Sequence, residues 1–320
     1  MKRTILLLVS LLFIALGMTQ EKKLSIKDAS FLNPATRPQG LRNLAWMGNS
    51  DAYTFIEGQA LVRGRVNAES RDTVLRLSDI SGALVAAGAE ELKRFPSIEW
   101  KDASTFTFHS GSKVWGYNLS DRKAKVIATY PENASDQVME EGSFALAYTV
   151  DNNLFIHKSG KEIQVTRDED KGIVNGQTVH RNEFGISGGI FWSPDGSKLA
   201  FYRKDERQVA EYPLVEIGGR IAEMKTTRYP MAGETSENVT LGVFDLNTGK
   251  TVFMQTGEPA DQYLTCVTWA PDGASLFIGL LNRGQDHLQL NRYDVSNGQL
   301  VKTLFEEKDP KYVEPEHPLF

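Results

Sequence analysis

Trp192-Ser193-Pro194-Asp195-Gly196, followed two residues later by Leu199-Ala200-Phe201, returns later in the chain as Trp269-Ala270-Pro271-Asp272-Gly273 with Leu276-Phe277-Ile278. In both copies the chain turns at Pro-Asp-Gly. Proline presets φ at one corner of such a turn, and glycine accepts positive φ at another. Alternating apolar residues then lead a strand away. Trp46 opens a looser copy, with Gly48-Asn49-Ser50-Asp51 before Tyr53-Thr54-Phe55. Trp100 opens another, and a copy at Gly142 keeps Leu146-Ala147-Tyr148 without the tryptophan.

After each phrase comes a strand, a polar turn and a strand. The turns fall at Asp79-Ile80-Ser81-Gly82 within 74–85, at 118–121 within 114–127, and at 158–161 within 154–165. Two more fall at 245–249 within 241–253 and at 294–298 within 290–304. Apolar runs around Asn, Asp, Gly and Ser punctuation predict β-hairpins. One strand pair plus one hairpin makes a four-stranded unit, and the chain holds five. Successive copies lie about 40 to about 77 residues apart, bracketing a propeller blade of about 40–50 residues. The fold class expected is all-β: a propeller of four-stranded blades, since one blade cannot bury its faces alone. A β-sandwich is the alternative. The longest spacing reflects an extra, charge-rich segment of roughly 28 residues between Arg203 and Asn238; loops beyond about 12–15 residues are usually functional or disordered.

The first twenty residues stand apart. Lys2 and Arg3 precede a short apolar run from Ile5 to Leu16 and the small residues of a cleavage site near Ala15-Leu16-Gly17. This is the layout of a secretory signal, too short to span a bilayer comfortably. The domains expected are therefore a signal peptide over 1–20 and a partial propeller over 21–320, with export to the periplasm or the extracellular space. A single cysteine, Cys266, excludes an intrachain disulfide and reads as a buried strand thiol. A net charge of −5 without a basic stripe argues against nucleic acid. After the signal no run has the apolar length of a membrane span. Asp168-Glu169-Asp170 reads as a solvated acidic loop; neither His-Glu-x-x-His nor paired cysteines point to a metal, and no cofactor is expected.

Several stretches together carry a resemblance. Val179-His180-Arg181-Asn182-Glu183-Phe184-Gly185-Ile186 lies just upstream of the Trp192 phrase. Gly172-Ile173-Val174-Asn175-Gly176, Leu199-Ala200-Phe201-Tyr202-Arg203, Tyr229-Pro230-Met231-Ala232-Gly233, Tyr263-Leu264-Thr265, Leu281-Asn282-Arg283 and Tyr312-Val313-Glu314-Pro315 accompany it. In this order they resemble the propeller of the prolyl oligopeptidase superfamily, in the branch of dipeptidyl peptidase IV and prolyl tripeptidyl peptidase. The resemblance is strong from about Gly172 onward. It implies about five blades of an eight-bladed ring, incomplete at the C-terminus, and in a full-length protein an α/β-hydrolase domain carrying serine, aspartate and histidine. The bacterial setting of the exported protein comes from the same resemblance. No Gly-x-Ser-x-Gly elbow occurs in the 320 residues, so the chain is expected to be a fragment that does not hydrolyse peptides alone and has no catalytic residue of its own.

In that branch a glutamate captures the substrate's free amino terminus, and Glu183 is the matching residue. A carboxylate accepts charge-assisted hydrogen bonds from an ammonium and rejects internal peptide segments that lack the charge. Arg203 is expected to support Glu183 or to form a structural ion pair. Arg181 and Asn182 are further candidate substrate contacts. The mammalian pattern of two adjacent glutamates is missing, since Arg181 and Asn182 precede Glu183. Nor is the early-blade arginine found; the stretch there reads Thr107-Phe108-His109-Ser110. Dipeptide against tripeptide release is thus open, with a lean to tripeptide. The resemblance also implies that the 204–238 extension makes interdomain or subunit contacts. The partners expected are peptides with a free amino terminus, the hydrolase domain and a second subunit. The alternative function is a non-enzymatic periplasmic propeller of the TolB-like or WD40-like kind, acting as a protein-binding scaffold.

Overall fold

The computed structural model describes residues 25–31 and 40–319. Five antiparallel blades follow one another along the described chain, with a separate two-stranded sheet inserted in the fourth. The first blade comprises Arg42–Trp46, Ala52–Glu57, Ala60–Arg65 and Ala68–Arg76. The second comprises Glu99–Trp100, Thr105–His109, Lys113–Asn118 and Lys123–Thr129. Ser135–Met139, Leu146–Val150, Asn153–Lys158 and Lys161–Gln164 form the third. The fifth holds Tyr263–Trp269, Ser275–Leu281, His287–Asp294 and Leu300–Lys308. In these four blades each strand pairs with its neighbour in sequence, as a propeller blade requires.

The fourth blade differs, and its difference builds the candidate site. Ile173–Asn175 and Ile190–Trp192 both pair with the single long strand Lys198–Asp205. Asn175 lies opposite Arg203 and Ile190 opposite Phe201, so the position opposite Tyr202 is where the chain leaves and returns. The Gly176 N–H donates to the Tyr202 carbonyl at 2.8 Å, and the Tyr202 N–H donates to the Gly189 carbonyl at 3.0 Å. The segment 176–189 is therefore a loop hung from one interrupted strand and clasped at its neck by one residue. Asn238–Asp245 and Lys250–Phe253 complete the blade.

Apolar side chains bind the blades in series. Ile56, Leu61 and Leu75 of the first pack with Phe106, Phe108, Trp115 and Tyr117 of the second. Val114 and Ala128 meet Leu146 and Tyr148 of the third. Ala147 and Ile156 meet Ile190, Leu199 and Phe201 of the fourth. Tyr202 and Leu241 meet Leu264, Leu276 and Ile278 of the fifth. Among the described residues no such cluster joins the fifth blade to the first.

The repeated tryptophans are stitches between blades. Trp100 donates its indole N–H to Thr54 of the preceding blade at 2.8 Å, Trp192 to the Val138 carbonyl at 3.1 Å, and Trp269 to the Phe191 carbonyl at 3.0 Å. Each combines a large apolar burial with one satisfied polar contact. Trp46, on the outward side of the first blade, is 56% exposed. The Pro-Asp-Gly turns form as expected. Gly196 and Gly273 have φ of +62° and +66°, and their N–H groups donate to the Ser193 and Ala270 carbonyls at 2.9 Å.

Four of the five expected hairpins form, and the first does not. Leu77–Ala86 is an α-helix, and Ala68–Arg76 supplies the fourth strand of its blade. Leu77, Ile80, Ser81 and Leu84 are buried, a helical spacing of one face. The Asp79 carboxylate accepts the Arg76 N–H at 2.9 Å, so the supposed turn residue caps a helix. The extra segment after Arg203 also has its own structure, a hairpin of Glu211–Glu216 and Glu223–Arg228. The expected signal over 1–20 lies outside the described residues. Among the described residues no helix is long and apolar enough to cross a membrane.

Candidate functional site

Val179 to Ile186 occupy the tip of the clasped loop. His180, Arg181 and Asn182 have φ of +50°, +56° and +63°, and hydrogen bonds from the Asn182 N–H to the Val179 carbonyl and from the Glu183 N–H to the His180 carbonyl are both 3.1 Å. This is one turn of left-handed helix made of non-glycine residues. Such a conformation costs about 1–2 kcal/mol per residue and persists only where surrounding contacts impose it. Glu183, the next residue, returns to extended geometry and is exposed. Its carboxylate stands at the end of a rigid, strained turn.

The contacts that impose the turn come from the other recognised motifs. His180 is 5% exposed; its Nε2 accepts the Leu264 N–H at 3.2 Å, and its ring stands edge-on to Tyr263 with centroids 5.0 Å apart. The Thr265 hydroxyl donates to the Phe184 carbonyl, and the Phe184 ring lies 4.7 Å from that of Tyr263. Arg283 covers the outer side of Tyr263 and donates to its hydroxyl. Phe184, Tyr263, Leu281, Leu288 and Val313 form one buried cluster. At Gly185, φ is +74° and a Cβ would sit 2.9 Å from the His317 backbone, so the C-terminal segment closes over a position open only to glycine.

The fourth blade's extension reaches the turn as well. The Arg181 guanidinium lies over the Tyr229 ring at 4.4 Å, a cation–π contact worth about 0.5–1 kcal/mol where exposed. The Thr178 hydroxyl donates to Asn182 Oδ1 at 2.6 Å. Arg181 and Asn182, both exposed beside Glu183, thus spend part of their polar capacity holding the turn. Between the turn and the foot of the hairpin lies a cavity of about 260 Å³ whose lining includes His180, Lys204, Arg228 and Glu237.

Arg203 is engaged elsewhere. Its Nη2 donates to Asp168 Oδ1 at 2.8 Å, and Asp168 Oδ2 accepts from Asn175 at 3.0 Å. Burial pushes the Asp168 carboxyl up, but the bonds from Arg203 and Asn175 outweigh it and leave it below the usual range. The acidic loop is therefore only partly solvated: Asp168 ties it to the blade, and Asp170 accepts the Gly172 N–H at 2.8 Å. Of the two roles expected for Arg203, the structural ion pair is present. Cys266 is half-buried rather than buried. It sits on a bulge of Tyr263–Trp269 with φ of +54°, and burial raises its thiol pKa.

Sequence reasoning missed Glu237, which is 7% exposed and faces His180 Nδ1 at 3.5 Å. Burial lowers the pKa of His180 against an upward pull from Glu237, and Lys204 and Arg283 add smaller contributions on the side of burial. Burial alone would raise Glu237, yet the facing imidazole of His180 and its own backbone N–H hold it down at about 2, against an ordinary 4.5. A carboxylate with a depressed folded-state pKa stabilises the fold above its unfolded pKa and loses that contribution as pH falls through the folded value. Urea unfolding midpoints should accordingly drop between pH 4.5 and about 2. Glu237→Gln should flatten the drop in that window. An unchanged profile in the variant would show that Glu237 is uncoupled from folding.

The site and fold define a propeller whose fourth blade presents an exposed carboxylate, braced from the fifth. Its relatives narrow the class. Residues 93–320 match the family described as the dipeptidyl peptidase IV N-terminal region. This chain belongs to that family. It is 38% identical to a Bacteroides ovatus protein assigned as a dipeptidyl aminopeptidase IV, superposing with a TM-score of 0.77 over 88% of this chain and 39% of that one. Porphyromonas gingivalis dipeptidyl peptidase 4 shares the fold at 22% identity and a TM-score of 0.73, over 92% of this chain and 44% of that one. Proteins assigned as dipeptidyl-aminopeptidase B are similar too. That of Neurospora crassa is 30% identical over 59% of this chain and 23% of its own, and that of Chaetomium globosum is 30% identical over 79% and 28%. The chain thus spans about a quarter of the length of these curated relatives.

Proposed function

We propose that this chain is the amino-terminus-reading propeller of an exported, proline-specific serine exopeptidase, with Glu183 accepting the ammonium of the substrate. The observation that carries this reading is the left-handed turn. A run of non-glycine residues with φ of +50° to +63° is held against its strain and leaves one carboxylate exposed at its end. Strain of this kind concentrates where a group must be aimed. Arg181 and Asn182 flank the bound terminus, and the triad that cuts the peptide belongs to a hydrolase domain outside these residues. Peptide enters by its free end, and an internal segment leaves the carboxylate unpaired. The test compares free-amine and N-acetylated proline-containing substrates in the full-length protein and its Glu183→Gln variant. Loss confined to the free-amine substrates supports the reading, and equal loss on both overturns it.

The same reading gives the hairpin a partner. Its Leu214, Val215, Ile217, Ile221 and Met224 are 48%, 62%, 80%, 80% and 72% exposed, an apolar surface unusual for a solvated excursion. It fits a second copy of the protein. The double variant Val215→Asp, Ile217→Asp in the full-length protein should shift its mass in light scattering from dimer to monomer. A dimer that survives both charges at low micromolar concentration would rule the hairpin out as the contact.

A further inference from the structure

Several contacts hold the turn that presents Glu183, and the one at its entry is made by a buried side chain. His180 opens the turn, is buried, accepts a hydrogen bond at Nε2 and turns Nδ1 toward Glu237 at 3.5 Å. Because Nε2 accepts the Leu264 N–H, the proton of the neutral ring sits on Nδ1, toward Glu237. The Leu264 peptide is itself fixed from the other side, since its carbonyl accepts the Tyr202 hydroxyl at 2.9 Å. Tyr202 also clasps the neck of the loop. Neck, strand and turn are thus joined in one circuit that passes through the imidazole.

We propose that His180 is a positioning residue for amino-terminus recognition, its imidazole latching the left-handed turn to strand Tyr263–Trp269, with Glu237 facing its other nitrogen, so that Glu183 is held at a fixed reach. This rests on the reading of Glu183 given above. Without the latch, His180, Arg181 and Asn182 relax toward negative φ. Each residue that extends can displace Glu183 by up to about 3.3–3.6 Å, and misplacement near 1 Å already costs about a hundredfold in such sites. The remaining tethers fix the middle and exit of the turn rather than its entry: Tyr229 holds Arg181, Thr178 holds Asn182, and Thr265 holds Phe184 beyond them. The charged and titratable groups around His180 are Glu237, Lys204, Arg283, Tyr263 and the adjoining Arg181. Among them Glu237 alone faces Nδ1 at ion-pair distance.

The experiment uses the full-length protein with His180→Phe, which keeps a ring against Tyr263 but accepts nothing from Leu264, and His180→Gln, which restores an acceptor. For free-amine substrates the phenylalanine variant should raise KM about tenfold to a hundredfold with kcat little changed, as expected when ground-state binding is lost. The glutamine variant should recover most of this. N-acetylated substrates should respond to neither, and in a Glu183→Gln background His180→Phe should add less than about twofold, because coupled residues do not act additively. Equal loss on blocked substrates, or the full effect on top of Glu183→Gln, overturns the proposal. If Glu183→Gln alone changes nothing, the reading of Glu183 falls and the latch is judged by hydrogen exchange over residues 178–186. Exchange opened about tenfold or more by His180→Phe and reclosed by His180→Gln upholds the latch, and unchanged exchange overturns it. If the phenylalanine variant does not fold, His180→Asn, too short to reach Leu264, is read against the same outcomes.

Discussion

Glu183→Gln should reduce kcat/KM of the full-length protein on free-amine, proline-containing substrates by about tenfold to a thousandfold, equivalent to about 1.4–4 kcal/mol. Glutamine keeps the size and accepts a hydrogen bond, so the loss isolates the charge. The upper part of the range applies if the bound peptide excludes water, because a charge-assisted bond strengthens as the local dielectric falls. Glu183→Asp should also lose activity. It keeps the charge, but shortens the reach by one methylene on a turn too constrained to compensate. Neither change should lower stability, since the side chain is exposed and its backbone geometry is ordinary. Thermal melts of both variants check this, and a fall of several degrees would assign Glu183 to the fold instead.

Phe201→Ala should be the most damaging single core change near the site, lowering unfolding free energy by about 3–5 kcal/mol. The ring is fully buried in the cluster that joins third and fourth blades. It fills the space over Gly242, where a Cβ would lie 2.9 Å from its Cζ. Its backbone pairs with Ile190, the first strand residue after the loop. The cavity left by alanine therefore opens beside the loop's return limb. Denaturant midpoints measure the loss, and hydrogen exchange should show the limb from Gly189 to Trp192 opening before the first blade does. A loss below about 1 kcal/mol would mean that the surrounding side chains collapse into the space.

The blades were legible because each repeat carries its own turn chemistry. Pro-Asp-Gly and Asn/Asp/Gly hairpins specify local geometry without reference to distant residues, and the tryptophan spacing gave the period. The helix at Leu77–Ala86 was missed for the converse reason. Its Asp, Ser and Gly suit a turn as readily as a helix start, and only burial of Ile80 and Leu84 beneath the second blade decides between them. At the site, Glu183 could be found from its neighbours in sequence. The imidazole–Leu264 bond, the Glu237 contact and the stacking of Arg181 on Tyr229 span 84, 57 and 48 positions of chain. No local pattern announces such pairs; the first exists because the fourth and fifth blades stack, and the other two because the fourth blade's extension folds back on its own loop.

The interrupted strand of the fourth blade has an evolutionary consequence. Both limbs of the loop answer to one residue, Tyr202, and the ladder resumes on either side in unbroken register. Residues gained or lost at the exposed tip between Gly176 and Gly189 therefore need not shift the ladder. On the function proposed above, a lineage can lengthen or shorten the reach to an incoming peptide by small insertions at the exposed positions around Arg181 to Glu183, so long as the buried Val179, His180, Phe184 and Ile186 keep their places. If Glu183 reads the amino terminus as proposed, preference for how many residues are released can drift with little change to the scaffold, and transplanting this one segment between relatives should carry it across.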